Sequence, residues 1–119
     1  MESTESKLQV YIRIRPDQTQ TLSTTSTTIT HLNKTYNFNH IFNPSTQSSI
    51  FEKTTIPLLN LVKNGYNATL FAYGQTSTGK TYTISGSNSD LGIIQRSIEY
   101  LSLNENVNLK ISYFEGLLI

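Results

Sequence analysis

Cysteine is absent from the 119 residues, so neither a disulfide framework nor a thiolate metal site can form. Charge is sparse as well: 14% of the residues are Asp, Glu, Lys or Arg, and the net charge is +1. That balance supplies no field strong enough to make nucleic acid or an anionic membrane the main partner, and neither is expected. Lys7, Arg13 and Arg15 form the only local basic cluster. Long apolar runs are missing too. No stretch approaches the roughly 20 residues that span a bilayer, and the polar residues 1–6 do not resemble the basic stub and apolar run of an export leader. These absences predict a chain that is neither exported nor membrane-inserted, and a cytoplasmic location. The hydrophobic share is only 36%, its place taken by Ser, Thr, Asn and Gln. Two Asn-x-Thr sequons, at Asn33 and Asn67, follow from that richness rather than from glycosylation. The length is enough for one core, and a compact fold of this size buries about two-thirds of its unfolded surface.

What is present is a phosphate-cradling loop. Gly74, Gly79, Lys80 and Thr81 occupy the fixed positions of G-x-x-x-x-G-K-[ST], with Gln75, Thr76, Ser77 and Thr78 between them. The two glycines let the backbone turn and approach phosphate oxygens that a side chain would block. The loop N–H groups then point inward as an anion nest, helped by the helix expected to begin near Gly79. Lys80 reaches the terminal phosphates, and the Thr81 hydroxyl is placed to ligate Mg²⁺, which takes oxygen ligands and shares them with phosphates. The four fixed positions would arise by chance in a chain of this length well under about 1% of the time. The expected ligand is ATP with Mg²⁺.

The rest of the chain fits around that loop. Residues 8–14 alternate Leu8, Val10, Ile12 and Ile14 with Gln9, Tyr11 and Arg13, which predicts a strand stopped by Pro16. Residues 17–28 are Ser, Thr and Gln with one Leu and are expected to loop out, and residues 1–6 to form a disordered tail. Residues 29–42 predict one or two short strands around Asn33-Lys34, with Leu32, Tyr36, Phe38 and Ile41 on the apolar side. From Ser45 the period becomes helical through Ile50, Phe51, Thr54, Leu58, Leu61 and Val62, with Ser45 or Thr46 as N-cap. Pro57 should kink this helix or begin its second part, and Asn64-Gly65 should end it. Residues 69–73 read as a buried strand leading into the loop, 80–84 as a short helix, 86–92 as a polar loop, 93–103 as a helix, and 107–114 as an alternating strand. His31 and His40 have no ligand or nucleophile pattern beside them and read as structural or surface residues.

Taken in order, these segments resemble the amino-terminal part of a kinesin motor domain. Arg13-Ile14-Arg15-Pro16 is similar to that family's R-x-R-P strand ending. Tyr36-Asn37-Phe38-Asn39-His40-Ile41-Phe42 resembles Y-x-F-D-x-V-F, Thr46-Gln47 with Ile50-Phe51 resembles T-Q-x-x-V-F, and Gly92-Ile93-Ile94-Gln95-Arg96 resembles G-I-I-P-R. Ser112-Tyr113-Phe114-Glu115 looks like the start of S-Y-x-E-I-Y-N-E. The departures are Asn39 for the usual acid, Ile84 for Met, Gln95 for Pro, and Gly116-Leu117-Leu118 for I-Y-N. The resemblance implies an α/β P-loop NTPase fold of the kinesin motor type, here its N-terminal third, in a microtubule motor of the cytoskeleton whose partner is tubulin. It also implies that adenine lies against Arg13 and Pro16 on one side and Tyr82 on the other, a chemistry that guanidinium and aromatic faces suit. Without the resemblance, Arg13 and Arg15 read as a solvated strand edge and Tyr82 as helix packing.

The family's N-x-x-S-S-R-S-H and D-L-A-G-x-E motifs, which position the attacking water and sense the γ-phosphate, do not occur in the chain. No catalytic residue is therefore assigned, and Glu115 is not read as the metal-holding acid. In the family's sheet, a strand from the far C-terminal part separates the first strand from the one before the loop. Exposed strand edges, self-association and no microtubule-stimulated ATPase by the chain alone are expected. Two alternatives stay open: a binding module completed by a partner chain, and an Asn/Ser/Thr-rich interaction protein with a relic loop.

Overall fold

The computed structural model describes residues 8–16, 22–103 and 107–116. Lys7, the expected tail, most of the Ser/Thr-rich stretch before Leu22, and Leu117-Leu118 lie outside them. Two short strands form the centre. Strand β1 (Tyr11–Arg13) pairs in parallel with β5 (His40–Phe42), Ile12 opposite Ile41. Parallel neighbours need a crossover, and here it is a three-stranded antiparallel sheet in the order β2 (Ser23–Thr24), β3 (Thr28–His31), β4 (Lys34–Asn37). The stretch expected to loop out therefore contributes Ser23, Thr24 and Thr28 to strands. Their small hydroxyl-bearing side chains, β-branched in the two threonines, suit a half-exposed ladder that needs little burial. The strand expected over 8–14 is confined to Tyr11–Arg13, the only residues opposite a partner.

The β3–β4 turn centres on Leu32 and Asn33, both at positive φ (47° and 60°), one residue earlier than Asn33-Lys34. Such a turn matches strand twist but holds its side chains outward. Leu32, expected on the apolar side, is accordingly 82% exposed. Asn39, in place of an acid, closes the other end: its Oδ1 accepts from Val10 N–H at 2.7 Å while its own N–H donates to Val10 O. Only an acceptor oxygen is needed there, and an amide supplies one as well as a carboxylate does.

Thr46 caps α1 (Gln47–Ile50) in a reciprocal box with Ser49. A π-helical turn, Phe51–Thr55, follows and leads into α2 (Ile56–Lys63), with Pro57 in its first turn. Proline has no N–H to return to residue 53, and Ile56 N–H reaches back five residues to Phe51 O. The extra residue rotates the apolar face. Ile50, Phe51, Thr54, Thr55 and Leu59 are buried, whereas the expected Leu61 and Val62 are exposed. Asn64-Gly65 ends α2 as expected: Gly65 at φ 89° donates to Val62 O and Tyr66 to Leu61 O, the paired bonds of a Schellman cap.

Helices α3 (Lys80–Ile84) and α4 (Ile93–Ser102) flank a turn closed by a Gly86–Leu91 bridge. Phe42, Ile50 and Ile93 form the core, with Tyr11, Leu70 and Ile84 against it, so Ile84 fills the place of the family's Met. Helix α4 docks on α2 through Tyr100, whose hydroxyl donates to Asn60 Oδ1 and whose ring lies 6.2 Å from that of Phe51. Gln95, where the family carries Pro, has a buried Oε1 with no protein partner among the described residues.

Two expected strands do not form. Residues 69–73 and 107–114 enter no ladder among the described residues, and Phe71, Tyr73, Ile111, Tyr113 and Phe114 are 67–95% exposed. A strand is a pairing rather than a propensity, and neither segment has a neighbour among the described residues to pair with. The total accessible surface is 10092 Å², against about 6,500 Å² for a compact monomer of this mass. The radius of gyration, 16.4 Å, likewise exceeds the roughly 13.5 Å of a compact domain of this length.

Candidate functional site

The loop between residue 73 and α3 is built from backbone. Gly79, at φ 103°, turns the chain into α3 in a conformation L side chains avoid. At Gly74 a Cβ would meet Thr78 Oγ1 at 2.7 Å, so only glycine leaves room for the Thr78 hydroxyl to donate to Gln75 O. Among the described residues, the N–H groups of Ser77, Gly79, Lys80 and Thr81 donate to no protein acceptor. Helix α3 is five residues long, so these local groups, more than a macrodipole, make the site attractive to an anion. The Lys80 ammonium lies over the loop, donating to Gly74 O and Gln75 O at 2.6 Å each. The Thr81 side chain is exposed at the start of α3.

Arg15, two residues beyond β1, anchors the loop through Nη1 to Ser77 O at 2.6 Å, and Ser77 itself sits at φ 65°. Pro16 stands exposed three residues past the end of β1. Arg13 and Tyr82 are brought together, but on one another: the guanidinium carbon is 5.1 Å from the ring centroid. The two groups expected on opposite sides of a base are thus already in contact.

Residues that carried no expected role hold that contact in place. Arg13 Nη1 donates to Gln47 Oε1 at 2.6 Å and to Thr83 Oγ1 at 2.9 Å. Gln47 Nε2 donates to Tyr82 O. The Tyr82 hydroxyl donates to Asp90 Oδ2 at 2.8 Å, and Asp90 pairs with Arg96 at 3.4 Å. Burial pulls the Arg13 guanidinium below its ordinary value, opposed by Tyr82 and Asp90. The hydrogen bond to Asp90, with desolvation second, pushes the Tyr82 phenol above its own. In sequence, Gln47 and Arg96 stood out only as members of the segments similar to T-Q-x-x-V-F and G-I-I-P-R, and nothing there pointed to their contacts.

His40 takes no part. It lies edge-on to Phe42 at 4.7 Å, and desolvation followed by the nearby Lys53 lowers its pKa. It also borders a shallow cavity of about 460 Å³ that shares no residue with the loop. No group of three or more His, Asp or Glu suited to a metal occurs among the described residues. No helix among them is long and apolar enough to cross a membrane.

The family model of the kinesin motor domain matches residues 1–115. Kinesin-like protein cut7 of Schizosaccharomyces pombe is 44% identical over 96 residues, covering 69% of this chain and 9% of its own length. Kinesin-related protein 13 of Dictyostelium discoideum is 36% identical over 116 residues, covering 82% and 9%. The chain thus spans about a tenth of the length of these curated relatives. Among solved structures, KIF14 with ADP in complex with a microtubule superposes with a TM-score of 0.71 at 32% identity, over 80% of this chain and 32% of that one. The Drosophila Kin10/NOD protein with manganese and ADP gives 0.73 at 23% identity, over 87% and 40%, and speaks to the fold alone. The mixed α/β architecture corresponds to the N-terminal portion of those motor structures.

Proposed function

Because this chain belongs to the kinesin motor domain family, we propose that it holds Mg-ATP on residues 74–81 as the nucleotide-binding part of a cytoplasmic, microtubule-based motor. The observation that carries the reading is the loop backbone. Gly79 in the left-handed region and a Gly74 whose Cβ would press on Thr78 Oγ1 shape a turn whose N–H groups no acceptor takes among the described residues. A polyphosphate is the ligand such a cradle suits. Gly74, Gln75, Thr76, Ser77, Thr78 and Gly79 surround the phosphates, Lys80 moves from the loop carbonyls to them, and Thr81 offers its hydroxyl to Mg²⁺. Arg13, Pro16 and Tyr82 take the adenine. Bound Mg²⁺ would shield phosphate charge. The residues that hold it on the acidic side, and those that position water, belong to motifs absent from this chain. The chain alone therefore binds nucleotide without microtubule-stimulated turnover, and its tubulin contacts lie in other parts of the motor.

A thermal melt with and without Mg-ATP tests this. The midpoint rises with nucleotide concentration if the folded loop binds it. A midpoint indifferent to millimolar Mg-ATP would instead favour a relic loop. The bare segments 69–73 and 107–114 support a second reading, in which strands from outside these residues complete the sheet. Co-purification of a polypeptide carrying the two missing motifs would identify the source.

A further inference from the structure

One buried amide touches both groups assigned to the base. Gln47, the first residue of α1, is 2% exposed. Its Oε1 accepts from Arg13 Nη1 at 2.6 Å, and its Nε2 donates to Tyr82 O at 2.5 Å. Strand β1 and helix α3 are thereby joined through a single side chain that belongs to neither. The chemistry is matched at each end: a guanidinium only donates and a carbonyl only accepts, and a primary amide offers one acceptor and one donor at its tip. A carboxylate at the same place would satisfy Arg13 and face the Tyr82 carbonyl oxygen with a second oxygen. A lysine would do the reverse.

We propose that Gln47 is the positioning residue for base recognition, holding Arg13 and the Tyr82 main chain in one register so that the planar surface offered to a purine is assembled before nucleotide arrives. The proposal rests on the nucleotide-binding reading above. Swinging Arg13 away would leave Oε1 unpaired in the interior, so the guanidinium stays aligned over Tyr82. Tyr82 is gripped at its other end too, where its hydroxyl donates to Asp90. The rotamer freedom of Arg13 is then lost on folding rather than on binding, which is what preorganisation means for affinity.

A merely structural amide would affect stability without distinguishing ligands that have a base from those that lack one. The test uses the full chain and compares Mg-ATP with Mg-tripolyphosphate by calorimetry in the wild type and Gln47→Met, which keeps the volume and removes both bonds. ATP affinity should fall roughly tenfold, the loss of about one hydrogen bond to a charged group, with tripolyphosphate affinity unchanged. Equal losses for both ligands, or none in a folded variant, would overturn the proposal. Gln47→Glu, which keeps the acceptor for Arg13 and loses the donor, should fall between the two, and it replaces Gln47→Met if that variant does not fold. If the wild type binds neither ligand, the nucleotide reading fails, and the positioning claim is decided separately by nitrogen-15 spectra of the arginine side chains. The chain has three arginines, so Arg13→Lys assigns the signal. Collapse of the Arg13 resonance toward that of free arginine in Gln47→Met supports positioning, and an unchanged resonance contradicts it.

Discussion

The two ends of the site are built on different principles. The proposed phosphate end is exposed backbone, shaped by two glycines and spanned by one lysine. The proposed base end is a web of side chains from β1, α1, α3, the turn before α4 and α4 itself: Arg13, Gln47, Tyr82, Thr83, Asp90 and Arg96. Backbone requirements are local and leave a signature in consecutive residues. A web is tertiary, and its members are scattered between Arg13 and Arg96, each looking ordinary where it stands. A backbone cradle suits any anion that fits; a side-chain web can tell one ligand from another.

Substitutions can break the comparison at either end. The largest effect on stability is expected at the base end. Arg13→Ala removes two hydrogen bonds and the ring contact and leaves the buried Gln47 Oε1 unpaired, so denaturant melts should show a loss of about 1–3 kcal/mol. At the phosphate end, Gly79→Ala places a Cβ in the left-handed region, where nothing lies within 4 Å to clash. The cost is backbone strain alone, about 1–2 kcal/mol. Its affinity loss should be shared equally by ATP and tripolyphosphate, the opposite of a base-end change. The smallest effect is expected for Asp90→Asn, because the partly exposed pair with Arg96 is of the kind that contributes little. Its signature is spectroscopic. Asp90 raises the Tyr82 phenol, so the variant's Tyr82 should titrate at lower pH in carbon-13 tyrosine spectra. The raised pKa also means that the wild type holds this contribution below about pH 10, the ordinary tyrosine value, and loses it as pH climbs through the folded value. Asp90→Asn should flatten that alkaline slope.

How much of this was legible in sequence follows the same division. The glycine turns at Gly74 and Gly79, the Thr46 cap and the Asn64-Gly65 stop were readable because each is a local demand of backbone geometry. The parallel pairing of Tyr11–Arg13 with His40–Phe42 was not legible, since nothing in either strand names its partner. Gln47 could be seen as part of a motif, but its hold on Arg13 and Tyr82 spans 34 and 35 positions and has no periodicity. Asp90 reaches Tyr82 because the 86–92 turn folds back, which the polar composition of that turn did not reveal. The misread strands at 69–73 and 107–114 show the converse: correct alternation makes a strand only when a neighbour supplies the ladder. The rotated face of α2 came from one π-turn residue ahead of Pro57, which shifted burial from Leu61 and Val62 to Thr55 and Leu59.

The central claim, that residues 74–81 hold a nucleoside triphosphate, is tested most directly by calorimetric titration of the full chain with Mg-ATP beside Lys80→Ala. The account predicts one saturable site in the wild type and a weakening of at least roughly a hundredfold in the variant, as expected for loss of charge-assisted bonds to phosphate. The variant's melting point should be almost unchanged, because the lysine's present partners are exposed carbonyls. Binding of equal strength in both proteins, or no binding in either, would contradict it.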